Sequence, residues 1–269
     1  MTLIKSISGI RGTIGGKPGN NLTPIDIVES ISAYGTWLSN KYSGSKIKVV
    51  IGRDARISGL MLEKLCIGTL ISMGIDVVNL GLSTTPTVEI AVPKEKAHGG
   101  IILTASHNPK QWNALKLLNN KGEFISAKDG EELLELIKNQ DFNYSEVDDI
   151  GSTINKNEYL EEHISDIIKL DSVDINAIEK ANFKIVVDAV NSSGGVAVPK
   201  LLTALKCKNV QTIFCEPNGQ FPHNPEPLPE NIKELSNTVI ENKADLGIVV
   251  DPDVDRLAFV CENGKVFGE

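Results

Sequence analysis

The sequence predicts two tandem α/β domains of similar build, each a mixed, largely parallel sheet flanked by helices. Three observations predict it. Short apolar runs alternate with helical patterns, as in βαβ units. The second half repeats the grammar of the first: K-I-V-V-D-A-V-N-S-S-G-G at 184–195 echoes K-V-V-I-G-R-D-A-R-I-S-G at 48–59, each a strand, an aspartate, a small polar turn and a helix. A polar stretch at 139–155, N-Q-D-F-N-Y-S-E-V-D-D-I-G-S-T-I-N, separates the halves and sets domains at 1–152 and 153–269. A length of 269 residues suits two domains better than one.

Taken in order, residues 46–51 (K-I-K-V-V-I) form a strand that passes through G-R-D-A-R into a helix from about Ser58 to Met73, ended by Gly74. I-D-V-V-N-L-G is the next strand, followed by a turn around Thr84 to Pro86 and a short helix. I-I-L-T-A at 101–105 is a third, buried strand, and residues 126–139 are an acidic-fronted amphipathic helix. A further helix over about 157–170 leads into the second domain. There L-G-I-V-V-D-P-D-V-D-R at 246–256 ends a buried strand in a polar loop, as I-I-L-T-A-S-H-N-P does in the first.

Composition narrows the function classes. The chain is 41% hydrophobic and 23% charged, enough to build a core without disulfide or metal staples. Thirty-five acids against 27 bases give a net charge of −8, which argues against nucleic acid or an anionic membrane as partner. Cys66, Cys207, Cys215 and Cys261 are scattered and read as reduced thiols. The first residues lack a signal-peptide core, and no run approaches the roughly 18 apolar residues of a membrane span. The cytoplasm is the expected compartment.

Two loops carry chemistry. Asp251, Asp253 and Asp255 alternate with Pro252 and Val254, and in extended backbone alternate side chains share a face. Three carboxylates held together repel unless a cation neutralises them, and an all-oxygen set suits a hard ion such as Mg²⁺. A solvated acidic turn is the competing reading, although apolar strands flank the loop. An EF-hand is excluded: Glu262 falls at the twelfth position, but Arg256 stands at the sixth, where the turn needs glycine.

The second loop follows Ile101–Leu103 and breaks at Ser106, His107, Asn108 and Pro109. Ser106 lacks the G-x-S-x-G elbow of a hydrolase nucleophile. It reads either as a turn residue bonding its own backbone or as a phosphate carrier whose oxygens complete a Mg²⁺ shell begun by the three aspartates. Only the carrier uses both loops. His223 stands in a second H-N-P, where Pro222 replaces serine, and reads as part of a polyproline-like connection. Asp188 and the Ser192–Gly195 turn suit an anion nest or a helix cap equally. Arg53 and Asp54 either support the serine loop or form an ion pair at a strand end.

T-A-S-H-N-P followed by N-x-x-K, with S-G-I-R-G at 8–12, G-R-D-A-R-x-S-G at 52–59 and D-P-D-V-D-R at 251–256, resembles the α-D-phosphohexomutase superfamily. F-P-H-N-P-E-P-L-P-E-N at 221–231 resembles the proline-rich segment of its phosphoglucomutase/phosphomannomutase branch. The resemblance implies that Ser106 is phosphorylated and that phosphate moves between O1 and O6 of a hexose through a bound hexose 1,6-bisphosphate. It implies one Mg²⁺ per chain, held by Asp251, Asp253 and Asp255 with the phosphoserine as a further ligand. By the same matching His107, Asn108, Lys116, Arg11 and Arg256 line the site. Apart from the matching, Arg53 is expected as a further phosphate-binding residue, and Lys116 or His107 as the proton carrier.

Two departures stand out. Ala114 replaces the family's usual glycine after Asn113, and the sequence ends at Glu269, after the hairpin L-A-F-V-C-E-N-G-K-V-F, where family members continue into a sugar-recognition domain and a phosphate-binding domain. The expectation is therefore an N-terminal half, poorly active alone, whose partners are a hexose phosphate and the missing C-terminal domains. Phosphoglucosamine mutase is the alternative substrate reading. A metal-dependent phosphatase and a non-catalytic module binding Mg²⁺ or sugar phosphate are the alternatives in kind.

Overall fold

The computed structural model describes residues 1–6 and 9–268, so Ser8 of S-G-I-R-G lies outside the described residues. The chain forms two compact units. The first comprises Met1–Arg53, Ser58–Ala105 and Gln111–Asn157; the second comprises Asp54–Ile57, Ser106–Lys110 and everything from Glu158 onward.

The first unit contains β1 (Ile4–Ser6), β2 (Gly9–Thr13), α1 (Pro24–Lys41), β3 (Lys48–Arg53), α2 (Gly59–Ser72), β4 (Asp76–Leu82), α3 (Thr85–Lys94), β5 (Gly99–Leu103), β6 (Trp112–Leu118), α4 (Ala127–Asn139) and β7 (Thr153–Asn155). Its seven strands lie in the order β1-β2-β6-β5-β3-β4-β7. β3 pairs in parallel with β4 and β5, whereas β6 returns antiparallel to β5 and regular through Ala114. Val49, Val50 and Ile51 are wholly buried, as a central parallel strand covered on both faces requires. Ile27, Ile31 and Leu38 of α1 close one side of this core with Leu62 and Leu70 of α2.

The second unit contains α5 (Tyr159–Ile167), α6 (Ile175–Ala181), β8 (Lys184–Asp188), α7 (Gly194–Ala204), β9 (Asn209–Ile213), α8 (Lys233–Glu241), β10 (Leu246–Val250), β11 (Leu257–Cys261) and β12 (Val266–Gly268). Its five strands run β12-β11-β10-β8-β9. Here β8 pairs in parallel with β9 and β10, and β11 returns antiparallel to β10. The duplication expected from sequence is thus visible as topology: β6-β5-β3-β4 in the first sheet and β11-β10-β8-β9 in the second are the same four-strand arrangement. The serine loop and the aspartate loop follow equivalent strands, β5 and β10.

One expectation is corrected. The stretch at 139–155 is not wholly a connection, because Thr153–Asn155 pair in parallel with β4. In this part of the chain the first compact unit runs to Asn157. The residues of β7 are all exposed, so no apolar run announced them. The four cysteines are free thiols, and among the described residues no helix is long and apolar enough to cross a membrane.

Candidate functional site

The carboxyl ends of parallel strands are where α/β sheets gather ligands, and β10 ends at Val250, directly before Asp251. The acidic loop does not continue as extended chain. Val254 N–H donates to the Asp251 carbonyl at 3.2 Å, closing a turn, and Val254 takes a φ of 64°. In extended backbone alternate Cα atoms lie about 6.6 Å apart. The turn instead brings one oxygen from each of Asp251, Asp253 and Asp255 within 4.8 Å of one another. The shared face inferred from alternation is real, but a turn produces it.

Asp251 and Asp253 are wholly buried and Asp255 is exposed. Burial first, then the charges of Asp253 and Asp255, push the Asp251 carboxyl up to about 8. Such crowding of buried carboxylates is the charge state a divalent cation relieves. The donor set fits one: oxygen ligands only, grouped within an ion's reach. Asp251 Oδ1 accepts the backbone N–H of Asp255 and Arg256 at 3.2 and 3.1 Å, which fixes its carboxylate plane. Ser192 and Ser193 both donate their hydroxyls to the Pro252 carbonyl, at 2.7 and 2.8 Å. Those serines, which suited an anion nest or a cap, brace the acidic loop.

The serine loop, residues 106–110, belongs to this same unit. Ser106 Oγ donates to Asp251 Oδ2 at 2.8 Å, which joins the two loops through one hydrogen bond. Ser106 holds a φ of 48°, a left-handed conformation that costs a non-glycine residue energy and marks functional turns. His107 Nδ1 lies 3.4 Å from the same hydroxyl. Burial and the positive charge of Arg256 push the His107 imidazole below its usual range, favouring the neutral ring that can accept a proton. Arg256 Nη1 donates to Glu226 Oε1 at 3.2 Å.

Ser106, His107, Asn108, Asp251, Asp253, Asp255 and Arg256 are therefore grouped within one unit. The other expected residues lie in the first unit. Arg11 pairs with Ala114 across β2 and β6, so Arg11 and Lys116 share a face as diagonal neighbours. Lys116 Nζ sits 5.8 Å from the centre of the Phe124 ring. Arg53 donates from Nε to Glu63 Oε2 at 2.9 Å, and Asp54 pairs instead with Arg56. Sequence reasoning missed Arg56 and Glu226. Their signals were the final arginine of G-R-D-A-R and the acid inside the proline-rich segment.

Comparison with known proteins follows this geometry. The sequence matches the family described as "Phosphoglucomutase/phosphomannomutase, alpha/beta/alpha domain I" over residues 3–144, and its domain II over residues 158–264. It is 36% identical over 257 residues to a phosphoglucomutase/phosphomannomutase of Thermococcus kodakarensis, covering 94% of this chain and 55% of that protein. It is 32% identical over 260 residues to a phosphoglucosamine/phosphogalactosamine mutase of Sulfurisphaera tokodaii, covering 96% and 54%. A solved phosphoglucomutase/phosphomannomutase family protein of Burkholderia thailandensis superposes with a TM-score of 0.78 at 26% identity, covering 98% of this chain and 55% of that one. The chain spans about half the length of the relatives it matches.

Proposed function

The chain belongs to the phosphoglucomutase/phosphomannomutase family, and from that premise we propose that it is the phosphoryl-carrying half of a phosphohexomutase, with Ser106 as the carrier. The observation that carries this reading is the hydrogen bond from Ser106 Oγ to Asp251, which ties the carrier hydroxyl to a carboxylate trio suited to a cation. In the reaction a hydroxyl of a hexose phosphate attacks the phosphorus on Ser106. The P–Oγ bond breaks, the sugar oxygen gains the phosphoryl group, its proton passes by way of the proton carrier to Ser106 Oγ, and a hexose 1,6-bisphosphate results. The reverse transfer from the other end of the sugar restores phosphoserine and moves the phosphate between O1 and O6.

The protein's part is positioning and charge stabilisation. Bound by Asp251, Asp253 and Asp255 with a phosphate oxygen on Ser106, one Mg²⁺ would offset the negative charge that repels an incoming sugar oxygen. Arg256 is assigned to phosphate through its guanidinium fork, exchanging Glu226 for substrate oxygens. His107, kept neutral, is assigned to hold a proton beside Oγ, and Asn108 is assigned to substrate on the family resemblance. Arg11 and Lys116 are assigned to substrate on the family resemblance, Lys116 as the other candidate proton carrier, and Arg53 is proposed as a further phosphate-binding residue. Free thiols throughout suit the cytoplasm.

The test is peptide mass mapping after incubation with Mg²⁺ and a hexose 1,6-bisphosphate. Phosphate is expected on Ser106 in the native chain and absent in Asp253→Ala. Phosphate landing elsewhere, or on Ser106 equally in the variant, would sink the reading. The similarity to a phosphoglucosamine/phosphogalactosamine mutase supports amino sugars as the second substrate reading. Comparing glucose, mannose and glucosamine bisphosphates as donors decides between them. Loss of the phosphate to water without sugar would instead mark a phosphatase.

A further inference from the structure

Arg56 lies in the short segment Asp54–Ile57, which groups with the second unit and the serine loop. Its side chain and that of Asp54 are both wholly buried. A guanidinium taken fully out of water must find partners for its donors. Nε donates to Asp54 Oδ2 at 3.0 Å, and the Arg56 backbone N–H donates to Asp54 Oδ1 at 2.9 Å. Nη1 donates to the Pro109 carbonyl at 2.8 Å. Nη2 donates to the carbonyls of Ser106 and Asn108 at 2.5 and 2.7 Å. The Phe221 ring covers the guanidinium carbon at 5.1 Å.

These three carbonyls all belong to the loop that presents the Ser106 hydroxyl. A fixed planar fork reaching carbonyls on both sides of His107 leaves the loop little freedom to relax. Ser106 needs such restraint, since its left-handed backbone persists only where surroundings over-determine it. Asp54 fixes the fork in turn, and Ala55 N–H donates to Ser192 Oγ at 3.2 Å, the hydroxyl that also braces the aspartate loop through Pro252. Hydrogen bonds from Arg56 to the serine loop and from the neighbouring Ala55 N–H to Ser192 thus tie the segment Asp54–Ile57 to both the serine loop and the loop of carboxylates.

We infer that Arg56 is a positioning residue for phosphoryl transfer: its buried guanidinium grips the carbonyls of Ser106, Asn108 and Pro109 and holds the Ser106 hydroxyl on Asp251. It touches no substrate atom and acts through the serine. The kinetic half of this inference rests on the reading of Ser106 as phosphoryl carrier. Lysine at this position would keep the charge but not the fork.

The experiment measures the rate at which Ser106 is loaded by a hexose 1,6-bisphosphate with Mg²⁺ in the native chain, Arg56→Lys and Arg56→Ala. In that step the P–O bond to the sugar breaks and the P–Oγ bond forms. The serine proton ends on the released hexose monophosphate. The maximal rate is expected to fall at least about tenfold in Arg56→Lys, the scale of loss that misplacement of a reacting group produces. The half-saturating bisphosphate concentration is expected to stay unchanged. Arg56→Ala loads more slowly still and recovers when millimolar guanidinium fills the vacated space. Amide hydrogen exchange at residues 106–110 accelerates in both variants.

Native maximal rate in a folded Arg56→Lys overturns the inference and leaves the mutase reading standing. So does a loss that follows thermal stability alone and is not recovered by guanidinium. If the native chain itself takes no phosphate, the mutase reading fails, and the exchange measurement decides: faster exchange confined to the serine loop upholds the positional role, and unchanged exchange overturns it. Should Arg56→Ala not fold, Arg56→Lys carries the same comparison.

Discussion

His223 Nε2 lies 3.0 Å from Oδ2 of the wholly buried Asp188, and its Nδ1 lies 2.8 Å from the Asn224 carbonyl. Burial alone would lower this imidazole, but the bond to Asp188, its charge and the Asn224 carbonyl together raise it above 6.5. Two acceptors facing the two ring nitrogens suit the imidazolium, which donates from both. Because the folded value is raised, the pair's stabilisation is complete below the unfolded pKa and is lost as pH rises through the folded one. Thermal unfolding across that window should show the native chain's advantage over His223→Gln shrinking as pH rises; a constant difference would refute the charged pair. At this scale the sequence told half the story. Three alternating aspartates between apolar strands were legible as a candidate cation site, and the Ser106 loop was legible through the break at Pro109. Arg56 was not, because it grips backbone carbonyls, and a carbonyl is the same at every residue. Glu226 was hidden likewise, since its partner Arg256 lies thirty positions away.

Among elements, α4 was legible nearly to its ends because it is strongly one-sided, burying Leu133 and Ile137 and exposing Glu131, Glu132 and Glu135. Its start is a capping box: Ser126 Oγ accepts from Asp129 N–H, and the Asp129 carboxylate accepts from the Ser126 N–H and hydroxyl. Ser126→Ala should cost about 1 kcal/mol, read as a lowered urea midpoint with unchanged slope. Burial opposes ionisation of Asp129, but Ser126 and Lys41 hold its carboxyl below 3.8. That contribution is therefore present above the unfolded carboxylate pKa and lost as pH falls through the folded one, so the penalty of the substitution should shrink in acid. The buried parallel strands were also legible, being short continuous apolar runs. In contrast, α1 buries Ser30, Ser32 and Gly35 beside Ile31 and Leu38, which blurs its periodicity even though Thr23 and Asp26 mark its start. β9 has no buried residue, and β1 is only three residues long, so neither offers an apolar pattern to read.

For the molecule as a whole, the repeated four-strand arrangement gives its two copies different tasks at matching places. Asp54 follows β3 and holds Arg56; Asp188 ends β8 and holds His223. The serine loop follows β5 and the aspartate loop follows β10, so the two loops that meet at one hydrogen bond descend from the same position in each repeat. Separating the chain into residues 1–157 and 158–269 tests how far the unit boundary is also a functional one. Neither piece alone should accept phosphate on Ser106 from a hexose 1,6-bisphosphate, and loading of the first piece by itself would show that the aspartates are dispensable. The second unit borrows Asp54–Ile57 and Ser106–Lys110 from the first half of the chain. Recombination at the boundary therefore cannot hand this site to another gene as a cassette: a crossover after Asn157 leaves the serine behind with one parent and sends its aspartates to the offspring. Only a crossover upstream of Asp54 or downstream of Arg256 transmits the set intact, so the two halves are bound to share one line of inheritance.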